Sequence, residues 1–288
     1  VQKKDYDEGN ISSYTTESQG ASVSFGYPVS EMQNIGFGFG YEKLKLDSGG
    51  YFKTGLMEQF LDEEGTNYNI FTSNLSWALS TLNGSGLDAT RGQSHRISTE
   101  LTFPAGDLNY YKLSYDGQFF KPLSSYLTLH LHSNIGYGDG YGSTENLPFF
   151  KNFYSGGNGS VRGFEQNTLG PRDVPITPGY EHEAEPFGGN VVMEGTVEVL
   201  FPMPFLKDKR LVQMTVFVDA GNVFSDDCGN TSEDFCQEPD LADLRYSVGI
   251  GGTWKSSFGP ISVSFAVPFN TGAEDEKETF QFNMGGGF

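Results

Sequence analysis

Apolar and polar residues alternate with period two along most of this chain, in short runs separated by turns. Residues 17–29 set Ala21, Val23, Phe25, Tyr27 and Val29 against Ser22, Ser24 and Gly26. In 33–46, Ile35, Phe37, Phe39 and Tyr41 oppose Gly36, Gly38 and Gly40. Successive side chains leave a strand on opposite sides, so this period marks strands with one apolar face. The same pattern predicts strands over 67–82, 93–104, 109–120, 125–137, 190–202, 211–223, 243–255, 260–268 and 278–288. The opening VQKKDYDEGN reads as the tail of a strand entered midway. The total is about eleven full strands with a fragment in front.

Three long connections, at 47–66, 138–189 and 225–242, interrupt the series, and GLMEQFLDEEG within the first predicts a short helix. Even numbers of strands separate them, so all three leave from one side, while the other side has tight turns. Outer-membrane barrels carry this bias; a soluble sandwich or lectin-like domain, the alternative, has no reason to. The polar faces hold ionisable groups in almost every strand, as a wet lumen requires. Apolar faces of about nine residues suit a tilted membrane strand. The fold class expected is all-β: an antiparallel transmembrane β-barrel of the outer membrane with long extracellular loops.

Composition agrees with that class. Of 288 residues, 36% are hydrophobic, 15% are aromatic and 38 are glycine, the mixture of a barrel with a polar interior and aromatic girdles. The formal charge of −19 removes nucleic acid as a partner, because phosphate binding needs a basic footprint. No apolar run reaches the length of a spanning helix. No basic-then-apolar signal segment opens the chain, and a piece of a longer protein is expected. Cys228 and Cys236 bracket an acidic loop without a nearby histidine. Their spacing predicts a local disulfide in an oxidising compartment, and no metal site.

In the stretch 149–171, FFKNFYSGGNGSVRGFEQNTLGP, the glycines Gly156, Gly157, Gly159 and Gly163 bracket the cation Arg162. Glycines at this density fold a loop tightly on itself. Parity puts Glu198 and Asp219 on the polar faces of the next two strands, so their carboxylates can converge on Arg162. The other possibility is a guanidinium solvated at the loop tip. His130 and His132 share a polar face and read as lumenal polar residues. GYGDGYG at 136–142 lacks the strand-then-helix setting of a phosphate loop. The four histidines stand in no nucleophile setting, so neither enzyme activity nor a cofactor is expected.

VRGF at Val161, Arg162, Gly163 and Phe164, with FYSGGNGS before and QNTLGP after, resembles the signature loop of the BamA family. These are the barrel-assembly subunits of the bacterial outer membrane. FPAGDLNYYKL, VEVLFPMPF, VFVDAGNVF, GPISVSFAVPF and the terminal FQFNMGGGF extend the resemblance over the whole chain. It implies the C-terminal portion of a barrel, about twelve of the family's roughly sixteen strands, with periplasmic POTRA domains and the first strands lying outside the chain. It implies that Arg162 pairs with Asp219 and Glu198. It also implies that the last strand, with Phe280, Phe282, Gly285, Gly286 and Phe288, forms one side of a lateral seam. The glycine run there reads either as a pliable gate or as a frayed terminus. The implied activity is folding and insertion of other barrels into the outer membrane of a Gram-negative bacterium. The implied partners are unfolded barrel clients, accessory lipoproteins, lipid and lipopolysaccharide. A transporter of the same superfamily (TamA-like or a two-partner secretion pore) and a passive porin are the alternatives.

Overall fold

The β-branched and aromatic residues on alternating positions do pair into strands. The computed structural model describes residues 2–5, 14–47, 55–84, 88–174, 184–208, 211–226 and 236–285. Within them one antiparallel sheet contains twelve strands. These are β1 (Gln2–Asp5), β2 (Thr15–Ser30), β3 (Gln33–Asp47), β4 (Asn67–Ser80), β5 (Gly92–Thr102) and β6 (Tyr110–Pro122). They continue as β7 (Thr128–Gly140), β8 (Val191–Pro202), β9 (Val212–Phe224), β10 (Arg245–Ser256), β11 (Gly259–Phe269) and β12 (Phe280–Met284). Each strand pairs with its neighbours in chain order, and β7 meets β8 across the longest connection. Every pairing is antiparallel.

The two faces of the sheet differ in what covers them. On the apolar face Phe25 is 63% exposed and Val267 56%, with Val23, Phe39, Leu113 and Val248 bare beside them. Nothing among the described residues covers this face, the condition of a surface turned to lipid. The opposite face carries Ser247, Ser264, Asp219 and Gln281, all buried, and the loop 149–171 docks on it at Asp219 and Gln281.

The apolar core sits at the long-loop end. Leu44, Leu46, Tyr68, Ile70, Leu108 and Tyr110 from strand ends cluster with Met57, Leu147, Phe149 and Phe187. Helix α1 (Gly55–Glu64) lies in the first long connection, where the sequence predicts it. It turns Leu56, Met57, Phe60 and Leu61 to one side and packs them into this cluster. The Leu56 N–H donates to Asp173 Oδ2 at 2.7 Å, so a carboxylate from the longest connection satisfies an open donor at the helix start.

Two strand boundaries depart from the sequence reading. The strand expected at 125–137 runs from Thr128 to Gly140. Ser124 Oγ accepts the Leu127 N–H at 3.1 Å and holds a turn where the strand was expected to begin. At the other end, Tyr110 and Tyr111 of β6 stay in register with Gly140 and Asp139. Among the described residues, the strand expected at 278–288 runs over Phe280–Met284. Lys277 and Glu278 leave the sheet and pair with Phe164 and Gly163 instead. At the far end Gly285 takes φ 110°, a left-handed value that breaks the pleat. Gly286 and Phe288 lie outside the described residues, as does Cys228, the first half of the expected bridge to Cys236.

Candidate functional site

Residues two apart on a strand share a face, and neighbouring strands set such residues side by side. On β8 this aligns Thr196 and Glu198, and on β9 it aligns Thr215, Phe217 and Asp219. The register places Thr196 opposite Asp219 and Glu198 opposite Phe217. The patch so formed holds two acids, two hydroxyls and one aromatic ring.

Arg162 docks on that patch. Its Nε donates to Asp219 Oδ2 at 2.7 Å and its Nη2 to Oδ1 at 2.8 Å, a two-pronged fork. The Arg162 backbone N–H adds a third donation to Oδ2 at 3.1 Å. Nη1 donates to Glu198 Oε2 at 3.3 Å. The guanidinium carbon lies 3.3 Å from the centroid of the Phe217 ring, a stacked cation–π contact. Thr196 Oγ1 donates to Asp219 at 3.0 Å and Thr215 Oγ1 to Glu198 at 3.0 Å. Asp219 is fully buried, and these four donors offset the loss of its hydration.

The rest of the loop is fitted to the same wall. Val161 and Phe164 are fully buried and pack with Leu169. Gly163 has φ 94°, and a Cβ there would stand 3.1 Å from the Ala266 Cβ. Both the backbone angle and the close approach to β11 call for glycine. Ser160 Oγ donates to Glu194, and Ser155 and Ser160 share a hydrogen bond of 2.8 Å.

Beyond Gly163 the loop is tied to the segment entering β12. Gly163 and Phe164 form a two-residue ribbon with Glu278 and Lys277. The Glu165 N–H donates to the Glu276 carbonyl at 2.9 Å. Gln281 Nε2 donates to the Phe164 carbonyl at 2.7 Å, and Arg172 Nη2 meets Glu276 Oε1 at 3.0 Å. Arg245 on β10 holds Asp275 at 2.6 Å. Phe280, Phe282 and Met284 point the other way, onto the bare apolar face. The structure thus brings Val161, Arg162, Gly163, Phe164, Glu198 and Asp219 into one site. Phe280 and Phe282, expected at a lateral seam, stay apart from it.

The Omp85 superfamily domain profile matches residues 1–288. The chain belongs to the Omp85 superfamily. It is 34% identical over 305 aligned positions to the outer membrane protein assembly factor BamA of Neisseria meningitidis, covering 96% of this chain and 37% of that protein. The protein of the same name from Nitratidesulfovibrio vulgaris is 24% identical over 92% of this chain and 31% of its own. The crystal structure of BamA from Haemophilus ducreyi lacking POTRA domains 1–3 superposes with a TM-score of 0.85 at 28% identity, covering 95% of this chain and 55% of that one. The chain therefore spans about a third of the length of these curated relatives. Its relatives and its Omp85 membership place it among the outer-membrane β-barrels of Gram-negative bacteria.

Several residues of this Omp85 site do not emerge from the sequence reading. Alternation assigns His130 only to the polar face, yet its Nδ1 lies 2.8 Å from Glu198 Oε1. Its ring stacks on Phe120 with centroids 4.1 Å apart. Register brings this about, because His130 sits opposite Glu198 across β7 and β8. His132 likewise meets Asp116, at 2.8 Å. Phe217, an aromatic on a polar face, was the one visible irregularity pointing to a cation above it. Gln281 gave no local signal.

Proposed function

We propose that this chain is the C-terminal part of an outer-membrane barrel whose parent protein folds and inserts other β-barrel proteins. The work is done at a lateral seam bordered by β12. The observation that carries this reading is the weakness of the terminal strand. Among the described residues β12 pairs with β11 through the five positions Phe280–Met284, with one further backbone bond at each end, Ala266 N–H to the Thr279 carbonyl and Gly285 N–H to the Pro260 carbonyl, whereas β10 and β11 pair from Tyr246–Phe269 to Ser256–Gly259. The pleat then breaks at Gly285. A strand held by so few ladder bonds separates at low cost. Its free edge then presents backbone donors and acceptors to an incoming strand, which adds by β-augmentation.

Nothing in this mechanism needs bond chemistry. The free energy comes from burying the client's apolar face in lipid and pairing its backbone groups. Likeness to proteins named outer membrane protein assembly factors supports the reading. The docked loop supports it too, since it fills space that a passive porin keeps open. Clients would bring extended terminal strands, lipid and lipopolysaccharide would border the seam, and accessory lipoproteins would attach through domains outside this chain.

The test is reconstitution of the full-length protein in liposomes with a urea-denatured client barrel. Folding, read from the client's heat-modifiable gel shift, is expected to be faster than in empty liposomes. Solute leakage without faster folding would instead make the protein a pore.

A further inference from the structure

We infer that the anchored loop latches the terminal strand, with Gln281 as the positioning residue of the latch. The inference rests on the seam reading above and adds how that seam is held. The loop makes two separate sets of bonds. Its first half, at Arg162, is fixed to β8 and β9. Its second half, at 163–165, is bonded to the segment 276–281 that leads into β12. The two halves are consecutive in sequence, so the Arg162 anchor is transmitted directly to the terminal strand.

The latch is built from buried parts. Gln281 is 3% exposed, and its Nε2 is shared between the Phe164 carbonyl at 2.7 Å and Glu278 Oε2 at 3.2 Å. Phe164 is fully buried, so losing that donor leaves a carbonyl unsatisfied away from water. The ribbon 163–164 with 277–278 also draws two residues out of the main sheet, which explains why β12 begins only at Phe280. The strand thus trades ladder bonds to β11 for bonds to the loop. If the loop moves away, the described part of the strand keeps five paired positions and, at its start, a single bond from the Ala266 N–H to the Thr279 carbonyl. Release of the loop and opening of the seam become one event, and the loop sets when the strand is free to accept a client.

The experiment uses the full-length protein in liposomes and follows backbone hydrogen exchange in peptides covering 276–285. Gln281→Glu keeps the side-chain size but removes the donor. It is expected to speed exchange in this segment about tenfold, while peptides of β8 and β9 stay unchanged. As a rescue, Glu165→Cys with Glu276→Cys, register neighbours in the extended ribbon, is placed in the Gln281→Glu protein with Cys228 and Cys236 replaced by serine. Oxidation of the new pair is expected to return exchange to the wild-type rate. Unchanged exchange in Gln281→Glu, or faster exchange spread equally over the whole sheet, overturns the latch. The seam reading is judged separately by Ser262→Cys with Asn283→Cys, which face each other across β11 and β12. If fastening that pair leaves client folding as fast as before, the seam reading falls whatever the exchange data say.

Discussion

Arg162 is a cation held by two acids, a ring and its own backbone N–H, and its side chain is only 13% exposed. Removing one partner from such a cluster leaves charge buried without compensation. Arg162→Ala is therefore expected to destabilise the loop-docked form by about 3–5 kcal/mol. Arg162→Lys keeps the charge but has no planar fork, and should recover only part of that loss. Chymotrypsin cleavage of the loop, at Phe153, Tyr154 or Phe164, in the membrane-embedded protein measures both, the alanine variant being cut fastest. Parity alone indicated that Glu198 and Asp219 face the loop, because each lies two residues from polar neighbours on an alternating strand. His130 and Gln281 were out of reach for a different reason. Their partners are fixed by register across a 50-residue connection and by a loop fold, and alternation within one strand encodes neither.

At the scale of elements, period two located the strands because lipid-facing and covered positions differ sharply in polarity. It placed their ends poorly, since ends depend on turns and competing partners. Ser124 delays the start of β7, and the loop ribbon delays that of β12. Helix α1 was legible from its own apolar face. What it packs on was not, since Phe149 and Phe187 come from far along the chain. At its end, burial and the charges of Glu63 and Glu145 push the Glu64 carboxyl above the usual glutamate range. A raised pKa means that the folded cap binds this proton more tightly than the unfolded chain does. Its contribution to stability is thus present at acid pH and is lost as pH rises through the raised value. Glu64→Gln should protect α1 against hydrogen exchange relative to wild type at pH 7. The difference should vanish near pH 4; an equal difference at both pH values would assign it to another cause. In the third long connection, the Cys228–Cys236 bridge is tested by thiol labelling of the denatured, non-reduced protein, where no label is expected and two labelled thiols refute it.

The whole molecule is a sheet with a bare apolar face, an apolar cap at its long-loop end and a loop docked on its polar face. Each part answers a different environment: lipid for the face and the sheet's own wall for Arg162. The excess of 37 acidic over 18 basic residues fits a chain that meets lipid through neutral side chains. In this account the docked loop holds the terminal strand ready, and the strand does the templating. The measurement that tests this most directly is client folding in liposomes containing the full-length protein, wild type against Arg162→Ala. The account predicts that wild type accelerates folding and that the alanine variant, still a heat-modifiable barrel itself, loses most of that acceleration. Equal acceleration by both proteins would contradict it.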